Sequence, residues 1–209
     1  MMELSMIKSF HHRWIFQRRI EILSSVLAEM IPPGSSVLDI GCGDGNIGSL
    51  IRQKASGVSI HGLEVMARPA CEIEYSLFDG VRIPYEDGAF DVCLFVDVLH
   101  HGDDPALLLR EAARASRRYV LIKDHLCEHA ADRATLRFMD WVGNRPHGVR
   151  LAYNYKRRRE WDALFAAAGL GIRAWNDSIS LQAFPISAVF SRGLHYVALL
   201  AKESAHKPT

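Results

Sequence analysis

The stretch VLDIGCGDGNIG, from Val37 to Gly48, decides how this sequence folds. It begins with β-branched and apolar residues, which are typical of a buried strand, and glycines follow at once. Glycine accepts positive φ and lets a ligand lie against bare backbone, and the start of a following helix offers unpaired N–H groups. The stretch therefore predicts a strand, a turn and a helix that together cradle a nucleotide-type ligand.

Two nucleotide cofactors fit this pattern. Gly43, Gly45 and Gly48 satisfy G-x-G-x-x-G after a strand. Glu64 follows about 20 residues later, where a dinucleotide fold holds the acid that binds the ribose, and these residues alone would indicate NAD. Asp39, however, stands at the strand end ahead of the glycines. There it would repel a pyrophosphate and attract the ammonium group of S-adenosylmethionine (SAM), so the charge favours SAM.

Length and composition limit the classes of protein to which this sequence can belong. At 209 residues we expect a single domain over 1–209, with an N-terminal helical segment at 1–34 and a disordered tail at 203–209. Lys and Arg number 25 against 24 Asp and Glu, so the global basic field of a nonspecific nucleic-acid binder is missing. The four cysteines form no C-x-x-C pair, which predicts reduced thiols and no zinc site. Without a signal-length or membrane-length apolar segment, we expect a cytoplasmic protein.

Apolar periodicity predicts alternating helices and strands along most of the chain. An amphipathic helix is expected over 10–30, packed on the sheet. Strands are expected at 37–40, 58–63, 75–78, 90–96, 119–122, 170–183 and 195–202. The interval between Glu64 and Tyr75 has room for only a shortened helix, which Pro69 restricts further.

Titratable groups follow two of the expected strands, at the edge where open α/β sheets bind ligands. His100 and His101 come after the strand over 90–96, and Lys123 and His125 follow the core of the next strand. Imidazole takes up a proton near neutral pH, so the three histidines are candidate catalytic bases, with His101 slightly favoured over His100. A packing or capping role stays open for each of them, and Lys123 could instead stabilise a phenolate.

In this order the motifs resemble the class I SAM-dependent methyltransferases, in the broad group that includes small-molecule and quinone-biosynthesis methyltransferases. The resemblance covers about Val37 to Asp124, including VLDIGCGDGNIG, Glu64 and FDGVRIPYEDGAFDVCLFVDVLHH. It implies a Rossmann-like three-layer α/β sandwich with a seven-stranded, mostly parallel sheet and an antiparallel C-terminal strand. It also implies methyl transfer from SAM, with S-adenosylhomocysteine as the product.

The resemblance implies a set of residues that bind the cofactor. Asp39 and the first glycines would contact the methionine portion, Glu64 the ribose, and Asp79 with Gly80 the adenine, although Asp-Gly also fits an ordinary turn. The full set expected to bind SAM is Asp39, Gly41, Cys42, Gly43, Asn46, Glu64, Val65, Asp79, Gly80, Asp97 and Val98. No metal site is expected.

Residues 125–155 depart from the strand and helix alternation and gather aromatic side chains at the ligand edge, so we interpret them as a substrate lid. The leading hypothesis is a SAM-dependent methyltransferase that methylates an oxygen or nitrogen of a small organic acceptor, without membrane or nucleic-acid partners. Two alternatives stay open. One is methylation of a tRNA or protein, held through the basic run 156–159, and the other is a non-catalytic domain that binds SAM or NAD. The oligomeric state stays open as well.

Overall fold

The computed structural model describes residues 17–102, 104–144, 153–179, 181 and 193–203, apart from the side chains of 140 and 142–144. Four predictions fall partly outside these residues. They are the beginning of the N-terminal helix, residues 145–152 of the predicted lid, positions 180, 182 and 183 of the predicted strand over 170–183, and the predicted tail beyond Glu203.

Seven strands form one sheet. They are β1 (Ser36–Ile40), β2 (Ser59–Glu64), β3 (Tyr75–Leu77), β4 (Phe90–Val96), β5 (Ser116–His125), β6 (Leu170–Asn176) and β7 (His195–Lys202). Their order across the sheet is β3-β2-β1-β4-β5-β7-β6. The pairs from β3 to β5 are parallel, and β7 runs antiparallel to both of its neighbours. This arrangement confirms the predicted mostly parallel sheet with an antiparallel C-terminal strand.

Five helices are described, together with a 3₁₀ turn at Leu99–His101. They are α1 (17–30), α2 (Asn46–Lys54), α3 (Pro105–Ala115), α4 (Ala130–Asn144) and α5 (Arg158–Ala167). No helix among the described residues combines the length and apolar composition needed to cross a bilayer.

The sheet separates two hydrophobic cores, because side chains alternate along each strand. On β1, Leu38 and Ile40 belong to the core that contains residues of α3 and α5. Val37 belongs to the opposite core, which contains residues of α1 and α2, such as Leu23 and Ile51. The three-layer sandwich is therefore confirmed, with α4 packed apart in a smaller cluster.

Three predicted elements differ from the observed ones. No helix forms over 65–74, where the chain turns irregularly between β2 and β3. Strand β5 extends at both ends beyond the predicted 119–122, because Ser116 pairs with Phe90 of β4 and β7 pairs with β5 as far as residue 125. Strand β6 ends at Asn176, well before the predicted limit of Ala183.

Candidate functional site

The carboxyl ends of β1, β2, β4 and β5 lie side by side at one edge of the sheet. Loops from different strands touch there. A Cβ built on Gly41 would lie 2.6 Å from Cγ2 of Val98, so the loop after β1 packs directly on the loop after β4. The N–H of Gly43 donates a 3.0 Å hydrogen bond to Oε2 of Glu64, which joins the loop after β1 to the end of β2. Four of the residues predicted to bind the cofactor thus lie together at this edge: Gly41, Gly43, Glu64 and Val98.

The glycine turn requires its glycines. Gly41, Gly43 and Gly45 have φ values of 74°, 60° and 72°, a region that other residues avoid. Helix α2 starts directly after Gly45, and its first residue, Asn46, donates its side-chain amide to Asp44 at 2.7 Å. The turn therefore brings bare backbone and a helix start to the same edge.

Asp39 lies at the end of β1 with only 3% of its surface exposed. Burial, together with the nearby carboxylates of Glu64 and Asp44, raises the pKa of Asp39 to about 7. A cation bound beside this carboxyl group would favour its charged form and lower its pKa again.

Glu64, at the end of β2, already uses both of its carboxylate oxygens. Oε2 accepts hydrogen bonds from the N–H of Gly43 at 3.0 Å and from Nη2 of Arg68 at 2.8 Å. Oε1 accepts one from the N–H of Val65 at 2.8 Å. Arg68 is the exchangeable partner among these, because its side chain is 21% exposed and the other two are backbone groups.

The turn after β3 carries Asp79 and Gly80. The exposed Asp79 accepts hydrogen bonds from the N–H groups of Val81 and Arg82, both at 2.8 Å, and these bonds lower its pKa. Gly80 has a φ of 79°, and a Cβ on it would lie 3.2 Å from Val65 of the neighbouring loop. The side chains of Val65 and Val81 are 52% and 51% exposed, so an apolar surface borders this turn.

Asp97 directly follows β4 and adopts a left-handed backbone with a φ of 57°. One of its carboxylate oxygens bonds Nζ of Lys123, and the other bonds Nη2 of Arg19 at 2.5 Å. Burial opposes the charge of Asp97, but these two cations outweigh it and hold the pKa of Asp97 well below its usual range. Lys123 is wholly buried, so its ammonium group pairs with Asp97 and does not face the open side of the edge.

Asp124, near the end of β5, orients the turn that carries His100. Its oxygens accept hydrogen bonds from the N–H of Leu99 at 3.1 Å and of His125 at 2.7 Å. Nδ1 of His100 lies 2.6 Å from Oδ1 of Asp124. Burial raises the pKa of Asp124, but the interactions with His100 and His125 lower it by more, so that the pKa lies well below its usual value.

Four histidines form what we call the imidazole cluster: His100, His101, His125 and His195. Ring centroids lie 3.9 Å apart between His100 and His101, 4.6 Å between His100 and His125, and 5.0 Å between His125 and His195. Burial, reinforced by the charge of Lys123, lowers the pKa of both His125 and His195, which favours their neutral forms.

The members of the imidazole cluster differ in exposure. His100, His125 and His195 are buried, whereas His101 is partly exposed. The last part of the predicted lid closes one side, since the N–H of Asn154 donates to the carbonyl of His100 at 3.3 Å. His101 is therefore the predicted base that a bound molecule could reach most directly.

Within the predicted lid, α4 presents large apolar side chains to the surface. Phe138 is 57% exposed and Trp141 is 47% exposed, one helical turn apart. In the same helix Leu136 is buried against Cys127 and Tyr155 in the small third cluster.

The basic run 156–159 does not present four free cations. Lys156 bonds Asn154 at 2.7 Å. Arg158 bonds Asp162 at 2.8 Å, and its guanidinium lies 3.7 Å from the ring centre of Trp175. The exposed residues of the run are 157 and 159.

Sequence reasoning missed three residues of this edge. Arg19 reaches Asp97 from α1, Arg68 reaches Glu64 from the irregular segment after β2, and His195 lies 3.3 Å from Lys123. A usable signal existed for His195, because the first residue of an antiparallel strand lies at the edge where its parallel neighbours end.

The structure also groups side chains that no sequence motif linked. His100, Asp124 and His125 each offer a ligand atom, and these atoms all lie within 4.8 Å of one another. The three residues come from the ends of two neighbouring strands, so their grouping has no regular sequence spacing.

Comparisons with known proteins agree with this architecture. Residues 11–174 match the family model described as a methyltransferase domain. An uncharacterized methyltransferase of Mycobacterium sp. strain KMS is 34% identical over 94 residues, covering 43% of this chain and 37% of that protein. The ubiquinone biosynthesis O-methyltransferase of Sodalis glossinidius is 31% identical over 93 residues, covering 39% of this chain and 36% of that protein. The chain thus spans less than half the length of these curated relatives.

Among solved structures, the fold resembles a chain from a complex between the Haloferax volcanii Trm112 methyltransferase activator and a methyltransferase. The TM-score is 0.67 with 16% sequence identity, and the match covers 94% of both chains. At this identity the likeness establishes the fold.

Proposed function

From the premise that this chain belongs to the methyltransferase domain family, whose model matches residues 11–174, we propose that it transfers a methyl group from SAM to a small organic acceptor. The acceptor atom is an oxygen or a nitrogen. The observation that carries this proposal is the position of a partly exposed His101 against His100, which Asp124 holds, on a loop that packs against the glycine turn.

The glycine turn suits the amino-acid end of SAM. Asp39 is buried among other carboxylates, and a bound ammonium group would relieve their mutual repulsion. Glu64 can accept the two hydroxyls of a ribose if the ribose replaces Arg68 on its exposed side. The exposed valines beside Gly80 offer an apolar face to the adenine ring.

The carboxylate of SAM needs a cation at an edge that is rich in acids. Lys123 is wholly buried, whereas the side chain of Arg19 is 37% exposed and lies against Asp97. An Arg19–Asp97 pair would bind a zwitterion at both charges, with the guanidinium on the carboxylate and the Asp97 oxygen near the ammonium group. We therefore assign Arg19 to the carboxylate of the cofactor.

Chemistry at the acceptor side needs orientation and a base. SAM would supply the methyl group: its bond from the methyl carbon to sulfur would break as the acceptor oxygen or nitrogen bonds to this carbon, with S-adenosylhomocysteine as the second product. The acceptor loses a proton, which His101 accepts on a ring nitrogen. His100, held by Asp124, packs on this ring, and the buried His125 packs on His100, so we assign both of them positioning roles.

The predicted lid supports a small and partly apolar acceptor. Phe138 and Trp141 present apolar surface on α4, within residues 125–155. These side chains would cover an acceptor once it binds and would keep water away from the methyl group. We further propose a cytoplasmic location, in keeping with the free thiols of all four cysteines.

A methyl-transfer screen tests the function. Labelled SAM is incubated with the protein and a panel of phenols, alcohols and amines, and the label is followed into the acceptor. For an acceptor that reacts, His101→Ala is expected to lower kcat by about 10²- to 10⁴-fold, the usual contribution of a general base, while the Kd for S-adenosylhomocysteine stays unchanged. His129→Ala is the matched control, since His129 is exposed.

Two outcomes would contradict the proposal. Calorimetry that detects NAD binding without SAM binding would exclude a methyltransferase. An unchanged kcat in His101→Ala would remove this residue from the reaction and leave the identity of the base to His100 or to the acceptor itself.

A further inference from the structure

His100, Asp124 and His125 form a compact set of metal-ligand side chains at the ends of β4 and β5. Each provides a ligand atom within 4.8 Å of the others, and the residues are only 1%, 0% and 4% exposed. We propose that these three side chains bind a divalent first-row transition-metal ion, such as Zn²⁺. This inference goes beyond methyl transfer and does not depend on it.

The distances around His125 suit an ion better than a hydrogen bond. Its Nδ1 lies 3.5 Å from Oδ1 of Asp124 and 3.6 Å from Oδ1 of Asp97. Both contacts are longer than a normal N–H···O hydrogen bond. Two ligands about 2.1 Å from a tetrahedral ion lie about 3.4 Å apart, close to the distance between His125 and Asp124, which both belong to the proposed set. The 2.6 Å between Nδ1 of His100 and Oδ1 of Asp124 is a hydrogen bond, which an ion between these two residues would replace.

Unpaired nitrogen atoms in the imidazole cluster provide a second observation. Nδ1 of His125 and Nε2 of His195 are buried, and neither finds a hydrogen-bond partner among the described residues. A buried polar atom without a partner costs free energy, and native proteins rarely tolerate it without a reason. An ion bound by His125 would satisfy its Nδ1 directly.

The ligand set is also held in place before any ion binds. Asp124 accepts hydrogen bonds from the backbone N–H of Leu99, in the turn that carries His100, and from the backbone N–H of His125. These bonds fix both the carboxylate and the turn that carries His100. Pre-orientation of this kind is what supporting hydrogen bonds provide around metal ligands.

The surrounding charges indicate which further ligand such an ion would take. The charged groups described around the cluster include the cations Arg19 and Lys123 and the carboxylates Asp97 and Asp124, and Lys156 also interacts with Asp124. An ion would add positive charge, and an anionic oxygen at its open position would offset this charge. Two imidazoles and one carboxylate favour zinc, iron or cobalt over magnesium or calcium. The chemistry thus points to a deprotonated hydroxyl group as the further ligand.

Metal content and thermal stability test the proposal in the full chain. The protein is dialysed against a chelator, then against Zn²⁺, and bound zinc is measured by elemental analysis. We expect one zinc per chain and a rise in Tm of about 5–10 °C at free zinc about 100-fold above Kd. In His125→Gln, the affinity is expected to fall by more than the roughly 10- to 100-fold that loss of a supporting residue costs. His129→Ala should bind zinc like the unchanged protein.

Cobalt provides a readout that does not depend on a variant that folds. Co²⁺ added to the zinc-free protein should give the visible absorption of a four- or five-coordinate ion with nitrogen ligands. Absence of zinc binding by the unchanged protein would overturn the proposal, as would equal zinc binding in His125→Gln. Because SAM binding and methyl transfer are measured separately, activity of the zinc-free protein would leave the methyltransferase proposal intact even if zinc fails to bind.

Discussion

The two halves of the ligand edge differ in how they surround their buried aspartates. In the half formed by the loops after β1, β2 and β3, Asp39 forms no ion pair with any residue that the structure describes, and its pKa is raised to about 7. In the half formed by the ends of β4, β5 and β7, cations and histidines hold the pKa values of Asp97 and Asp124 well below their usual range. The first half is poised to accept a cation from a ligand, whereas the second half has already paired its charges within the fold.

The largest expected effect is on stability, and it should differ in sign between the halves. Asp124→Asn replaces a buried carboxylate that accepts bonds from Leu99, His100 and His125, so it should lower the free energy of unfolding by about 3–5 kcal/mol. Asp39→Asn removes an uncompensated buried charge and should raise stability at pH 8. Urea unfolding at pH 8 measures both. Losses of similar size in the two variants would show that the halves do not differ in this way.

Replacement of Arg19 tests whether the paired half also lends a cation to the cofactor. Arg19→Ala should weaken binding of S-adenosylhomocysteine by about 10- to 100-fold, the range expected for a hydrogen bond between charged groups. It should leave binding of methylthioadenosine unchanged, because this compound lacks the amino-acid end. Titration calorimetry with both ligands measures the difference. An equal loss for both ligands would mean that Arg19 only holds α1 in place.

Asp39 should make cofactor binding depend on pH. Its raised pKa means that the free protein holds a proton there below about pH 7. An ammonium group prefers the carboxylate, so the affinity for S-adenosylhomocysteine should rise about tenfold between pH 6 and pH 8. Asp39→Asn should show no such rise. A parallel rise in both proteins would assign the pH dependence to another group.

The smallest effect is expected at the basic run, which lies outside both halves. Arg157→Ala combined with Arg159→Ala removes its exposed cations. With a small acceptor, kcat/KM and its salt dependence should change by less than about twofold, since no phosphate contact is lost. A steep salt dependence that disappears in this double variant would instead favour a nucleic-acid acceptor.

The half around the glycine turn could be predicted from sequence because its determinants are local. The turn from Val37 to Gly48 needs glycines at positive φ, and its spacing to Glu64 follows from one β–α–β unit. The segment over 65–74 was harder to predict. A shortened helix was expected there, but the chain instead packs irregularly against the turn, since a Cβ on Gly45 would lie 2.8 Å from Sγ of Cys71.

The other half could be predicted only in part, because long-range contacts build it. Sequence order placed Asp97, His100 and His125 at strand ends, which the structure confirms. The residues that contact each other in this half are far apart in the sequence. Arg19 and Asp97 are separated by 78 residues, and Lys123 and His195 by 72 residues. No local pattern encodes such distances. Charge pairing in the core is decided by which side chains the folded sheet brings together.

The left-handed backbone of Asp97 limits which residues can replace it in a more thermostable variant. Such a backbone costs roughly 1 kcal/mol in a residue with a side chain, and glycine would avoid the cost. Glycine, however, would leave Lys123 buried without its carboxylate partner. A search for thermostable variants should therefore find few acceptable substitutions at position 97. Most stabilising substitutions should instead lie on the solvent-exposed helix surfaces.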